Sequence, residues 1–468
     1  MGNRTEPGRS ERTSLIRLTA TATALAAALF LSQAPVLALE AATGATDRIL
    51  DRQLEILKLN TRFRIANAYQ SKFRTIRQFA YNFLSAGFAL AGSTVLATER
   101  WATKSPDPTV LEYGSAMLVT GQGIIQGGIL TEALLDKIKD RSVKRKKLDP
   151  GSVLASIKGL QAEIDELLAG RQKELAPLRG DPQTARLIEH ETRVLELMRD
   201  LCIEEFARFY AERHGNVVSR NVSYLNGLVA TGAGGYGGSL MGLLTASTGN
   251  KTLAVPSGIG FVVSSSTVMA SPFINRYFTK RARAASLSEM LAEIPGSGSS
   301  SGLSSGSSSF EKMQTALDVL SREMAAIPES KYPPGLRKRH VVYKAELELL
   351  SHQLEREAEV VSKADRQFAH RVLMNTAIAA PKLAWGTMLI FSGSALPDRS
   401  YSFNKTVASA ATVYTVSNSL YLADALSSIK RPRSQKFIIG GQVPLSLGKL
   451  DQRLLELDTL DALVDASK

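Results

Sequence analysis

Residues 222–250, VSYLNGLVATGAGGYGGSLMGLLTASTGN, and residues 252–275, TLAVPSGIGFVVSSSTVMASPFIN, are two uncharged runs separated only by Lys251. Roughly 20 residues of helix cross the hydrocarbon core of a bilayer. Two such runs meeting at one polar tip therefore read as a membrane hairpin. Similar pairs flank it. Residues 79–98 and 113–131 are uncharged around a Pro-containing polar tip, and residues 372–396 and 407–423 form a third pair whose only charge is Lys382.

The expected fold class is all-α: six membrane helices in three repeated transmembrane hairpins, joined by long antiparallel helical arms about a pseudo-threefold axis. The chain divides into a signal peptide (1–38), an N-terminal charged helix (39–78), hairpin 1 (79–135), arm 1 (136–219), hairpin 2 (220–278), a Gly/Ser linker with arm 2 (279–371), hairpin 3 (372–427) and a C-terminal helix (428–468). Residues 295–309, rich in Gly and Ser, read as flexible linker. A soluble helical protein that buries Gly-rich hairpins is the competing architecture.

The three units rest on parallels at a period of roughly 145 residues. Arg77-Gln78-Phe79-Ala80 recurs as Arg366-Gln367-Phe368-Ala369, and the tip Asn250-Lys251-Thr252 recurs as Asn404-Lys405-Thr406. Pro177, Pro182 and Arg186 keep the spacing of Pro328, Pro333 and Arg337. The N-terminal helix lacks an outgoing partner and the C-terminal helix lacks a returning one. Leu450, Leu454 and Leu457 are therefore expected to pack on the apolar stripe of residues 49–68. Three helix pairs are similar in outline to the mitochondrial carriers, but the Pro-x-acidic-x-x-basic signature of that family is missing after the odd-numbered arms, so nothing is carried over.

The formal charge of +13 is concentrated just outside the apolar runs. Lys144, Arg145, Lys146 and Lys147 follow hairpin 1, Arg281 and Arg283 follow hairpin 2, and Arg431 and Arg433 follow hairpin 3. That placement points to anionic lipid head groups as partners and not to nucleic acid. Basic residues before the apolar run 18–31, with small residues at 36–38, indicate a secretory signal peptide cleaved after Ala38, against the alternative of an uncleaved anchor. Export puts the arms on the periplasmic or extracellular side of a cell envelope. The positive-inside rule puts them in the cytoplasm.

Within the hairpins, small residues at four-residue spacing permit close helix packing. Gly234, Gly238 and Gly242 form a two-step glycine ladder, and Gly123 with Gly127 a single step. Lys382 reads either as part of an ion pathway or as a side chain snorkelling to an interface. Arg77 with Glu132, and Arg371 with Asp424, stand where they can pair across hairpin bases. No catalytic constellation is visible: HExxH is missing and Gly249-Asn250-Lys251-Thr252 lacks the upstream glycine of a Walker loop. Cys202 is the only cysteine, so no Cys-based metal cage forms. Glu204, Glu205, Glu346 and Glu348 read as exposed helix charge. No cofactor is implied. The functional expectation is a non-enzymatic envelope scaffold or tether with a protein partner on its helical arms, or a homo-oligomer. A channel or late-inserting pore built on the Gly-rich hairpins is the alternative.

Overall fold

A computed structural model describes residues 40–68, 72–174, 182–292, 305–333, 335–397, 400–430 and 447–465. The signal-peptide reading, Arg431 and Arg433 fall outside those residues. Every regular element among them is helical. In chain order they are α1 (Glu40–Ala68), α2 (Lys72–Ala102), α3 (Pro108–Arg145), α4 (Pro150–Glu174) and α5 (Pro182–Gly232), then a π-helical segment (Ala233–Leu240), α6 (Met241–Thr248) and α7 (Ala254–Ala292), and finally α8 (Ser305–Ala326), α9 (Leu336–Ala395), α10 (Tyr401–Lys430) and α11 (Leu447–Asp465). Helix α8 begins at Ser305, inside the stretch read as linker.

The chain builds a head and a base. In the head, α1, α4, α8, α11 and the first halves of α5 and α9 close over one aliphatic and aromatic core that includes Leu50, Leu54, Phe63, Val194, Met198, Phe206, Leu320 and Leu457. The terminal helices pack together: α11 lies along α1, Leu450 and Leu457 are buried, and Lys58 Nζ meets Asp458 and Asp461 at 2.8 and 2.7 Å. The expected pairing of the two orphan helices is therefore the observed one. Helices α5 (51 residues) and α9 (60 residues) run without a break from head into base. At 1.5 Å per residue they are rods of about 75 and 90 Å.

In the base, the contacts close into a cycle. Helix α2 packs on α3, α3 on α5 with its π segment and α6, that strand of helix on α7, α7 on α9, α9 on α10, and α10 back on α2. The first and second members of each pair thus touch different neighbours in the same sense around the ring. The tips fit this order. Lys251 Nζ, at the second tip, donates to the C-cap carbonyl that follows α9 (Leu396 O, 2.6 Å), and Lys405 Nζ, at the third, donates to a carbonyl in the last turn of α2 (Trp101 O, 2.9 Å). A cation at a helix C-terminus satisfies orphan carbonyls and complements the dipole.

Local chemistry sets the turns. Asp107 accepts from Thr109 N at 2.8 Å with Pro108 as the first helical residue of α3, and Asn250 accepts from Thr252 N at 3.1 Å. Gly249 ends α6 with φ 68°, a left-handed residue that glycine adopts without a Cβ clash. Pro272 inside α7 has no N–H for the carbonyl of Val268, and Asn375 Nδ2 of α9 takes that carbonyl at 3.0 Å.

Two helices are long and apolar enough to cross a membrane, residues 76–102 in α2 and 251–290 in α7. Only about a third of each apolar window is covered by the rest of the chain (33% and 39%), unlike the core helix of a globule. The remaining base helices miss that length-and-composition test, and their apolar runs are rich in Gly, Ser and Thr.

Candidate functional site

Glycine brings the base helices together, though not at every position expected. A Cβ on Gly234 would lie 2.9 Å from Ser264 Oγ, and one on Gly238 2.9 Å from the Phe261 ring, so the second-hairpin ladder does face α7. Gly242 is in ordinary contact with Ser257. Gly123 and Gly127 have nothing within 4 Å and are exposed, which corrects their reading as a packing step within the chain. The close approaches of α3 are Gly114, Gly121 and Gly128, spaced by seven residues against Gly92, Ser85 and Tyr81 of α2. Hairpins 2 and 3 also cross closely: a Cβ on Gly258 would sit 2.4 Å from Gly386 O, and one on Gly386 2.7 Å from Gly258 O. Within hairpin 2 the approach is as close, a Cβ on Gly260 meeting the backbone of the π segment at Ala233, Gly237 and Gly238 within 2.4–2.5 Å.

The charged residues fall into layers. At the base collar, Arg77 Nε donates to Glu132 Oε1 at 2.7 Å, and Arg74 holds Asp136 at 2.9 Å while donating to the Tyr224 hydroxyl at 2.9 Å. Arg371 is exposed and Asp424 half-buried at the base of hairpin 3. Lys144, Arg145, Lys146, Lys147 and Arg281 are exposed, as head-group contact requires. Arg283 is instead half-buried, lying over Gly215 with Nη2 3.5 Å from Glu212, so it serves the α5–α7 contact. Lys382 does not snorkel. Its Nζ donates to Ser264 Oγ at 2.8 Å and lies 5.7 Å from the Phe261 ring, between the π segment at Gly234, α7 and its own helix α9.

Between the Lys382 layer and the tips lies a cavity of about 40 Å³ to which all the base helices contribute, among them Arg100, Ser115, Gly238, Ser257, Trp385 and Phe403. The rings of Phe261, Trp385 and Tyr414, with centroids 5.1–5.7 Å apart, pack beneath it. No carboxylate lines it. Arg100 and Trp385, both buried, were not singled out as site residues by the sequence. The signal available was an Arg just past the end of one apolar arm and a Trp in the middle of another, neither of which marks a buried cluster by itself.

The head carries buried charges that the sequence reading placed at the surface. Glu205 is 6% exposed and is gripped by Arg453 (2.6 and 2.8 Å) and Arg64 (3.1 Å). Burial alone would raise its carboxyl, but the two guanidiniums hold it below the usual range. Glu191 lies between Arg171 and Arg339, the latter at 2.8 Å, with Tyr343 donating at 3.0 Å. Burial opposes ionisation there too, yet Arg339 and Arg171 bring its pKa to about 2. Glu346 is fully buried with no cation on it, and burial pushes it up to about 8. Cys202 Sγ is its 3.6 Å neighbour. Glu204 is also buried, and only Glu348 is exposed as read. Helical periodicity could not separate these faces, because what covers Glu205 comes from distant helices, Arg64 from α1 and Arg453 from α11.

Among the described residues, no group of three or more His, Cys, Asp or Glu side chains converges as a metal site. Compared with protein-family models, curated proteins and solved structures, the chain matches none.

Proposed function

We propose that this chain is a non-enzymatic membrane protein of the cell envelope. Its base crosses the bilayer as three homologous hairpins, and its helical head scaffolds or tethers a protein partner. One observation carries the reading. Among the described residues, the exposed large apolar and aromatic side chains all lie between residues 76 and 138, 225 and 278, or 373 and 426, with Leu455 the sole exception. The head buries its large apolar side chains and the base displays them, a partition that water would penalise and lipid would not.

Trp101, Tyr113 and Tyr401 are exposed at the tips and Tyr277 at the opposite collar, a distribution that suits two interfaces. The exposed basic residues 144–147 and Arg281 suit anionic head groups on the head side. Support for three copies of one unit comes from the cyclic contact order and the equivalent roles of Lys251 and Lys405. The arms lie outside the cell if the leader is cleaved, and in the cytoplasm if the basic collar governs insertion. The test is reconstitution in planar bilayers. The scaffold reading predicts a protein that inserts and carries no steady current, and a steady unitary conductance would contradict it.

The axial cavity favours a second reading, a pore about the same axis closed here by Phe261, Trp385 and Tyr414. A leucine at Gly238, which lines the cavity against Phe261, would then abolish any current. Current surviving Gly238→Leu would exclude that pore.

A further inference from the structure

The axial cavity contains a cation and nothing to balance it. Arg100 is 7% exposed, with Nη1 donating to Asn404 Oδ1 at 2.9 Å and the guanidinium carbon 5.8 Å from the Phe403 ring. Its Nε has no hydrogen-bond partner. Trp385, 3% exposed, lines the same cavity, and its Nε1 has none either. The adjacent carboxylate, Glu99, is turned to the tip, where Oε1 accepts from Asp107 N at 2.9 Å and Thr103 Oγ1 at 3.2 Å. The hydroxyls of Ser257 and Thr245 donate to the carbonyls of Gly238 and Met241, both at 2.7 Å, so their hydrogens are committed. Two buried N–H groups are left without acceptors beside one buried positive charge.

Leaving a guanidinium desolvated and unpaired is strongly unfavourable, and buried polar groups almost always find partners. A volume of about 40 Å³ is roughly three times what one water needs by the same measure. That is room for a monatomic or small planar anion and too little for hydrated sulfate or phosphate.

We propose that the axial cavity is a binding site for a small inorganic anion of chloride or nitrate size, held by Arg100 Nε–H and Trp385 Nε1–H within the six-helix base. The anion neutralises Arg100 and ties the tip ends of the three hairpins together. The site is a property of the folded base and stands whether the head docks a partner or the axis conducts.

The experiment uses the full chain in nanodiscs, comparing sodium chloride with sodium gluconate at fixed ionic strength. Chloride is expected to raise Tm saturably by several degrees, since a ligand that binds only the folded state stabilises it by mass action. Arg100→Gln removes the dependence, and in gluconate this variant melts no lower than the wild type. Should Arg100→Gln fail to fold, Trp385→Phe keeps an aromatic ring, deletes the donor and is expected to weaken chloride binding about fivefold. In a Trp101→Phe background Trp385 is the sole indole, and bromide is expected to quench it along a saturating curve. Equal Tm in chloride and gluconate overturns the proposal, as does an anion effect unchanged in Arg100→Gln or Trp385→Phe. Either result would assign the cavity to water.

Discussion

Head and base are both six-membered helical assemblies of one chain, yet they are held together by opposite means. The head buries Leu, Ile, Phe and Met around a continuous core and pairs its interior charges, as Glu205 with Arg64 and Arg453. The base has a sparse core rich in alanine, brings backbones together at Gly258 and Gly386, and leaves Arg100 without a carboxylate. In water, sequestering large apolar side chains drives association. Where the surroundings are as apolar as the side chains, only close approach and hydrogen bonding distinguish a helix partner from lipid. The contrast is what a chain designed for two solvents would show.

The largest effect should come from breaking a buried pair in the head. Glu205→Ala strands Arg64 and Arg453 and is expected to cost about 3–5 kcal/mol in denaturant unfolding of the head, with little change in the base. In the base, Gly386→Leu drives a side chain into the Gly258 carbonyl. It should destabilise the hairpin 2–hairpin 3 junction by about 1–3 kcal/mol or more, read as melting in detergent. Gly123→Ala and Gly127→Ala, which meet nothing, are expected to be neutral or to stabilise by up to about 1 kcal/mol. Equal losses at all of these glycines would erase the distinction between close-approach and outward-facing positions.

A smaller effect sharpens the electrostatic side of the comparison. The folded head holds the Glu346 proton up to about pH 8, whereas the unfolded chain gives it up near pH 4.3. The raised folded value means this contribution is fully present below the unfolded pKa and is lost as pH rises through about 8. Relative to Glu346→Gln, the wild-type head should weaken across that window, at up to about 1.4 kcal/mol per pH unit. A difference that stays flat from pH 5 to pH 9 would contradict a buried neutral Glu346. Among the charge deletions, the smallest effect is expected at the collar. Arg77→Ala should cost about 1 kcal/mol, because Arg77 is partly exposed and Arg74 remains 3.5 Å from Glu132.

Much of this was legible in the sequence. The charge-free runs with Asn250 and Asp107 at their tips marked the turns, and the orphan helices announced the α1–α11 contact. The residues that fix inter-helix contact were harder to read. Gly123 and Gly127 satisfy the four-residue rule but face outward, while Gly114, Gly121 and Gly128 follow a seven-residue stripe that the rule does not capture. Arg100 and Glu205 look like ordinary helix charge because their surroundings come from residues roughly 250 to 310 positions away. Burial supplied by distant helices leaves no local periodic trace.

The central claim is that the outward face of the base meets lipid. With Cys202 replaced by Ser, single cysteines at Phe88, Gly123, Tyr236, Val263, Thr387 and Val416 each sample an exposed position on the base. Leu455 samples the head, where it is 67% exposed. In nanodiscs, a membrane-impermeant maleimide is expected to label the cysteine at 455 quickly and the six base cysteines slowly or not at all. Labelling of the base positions as fast as position 455 would show that water bathes them, and the membrane account would fall.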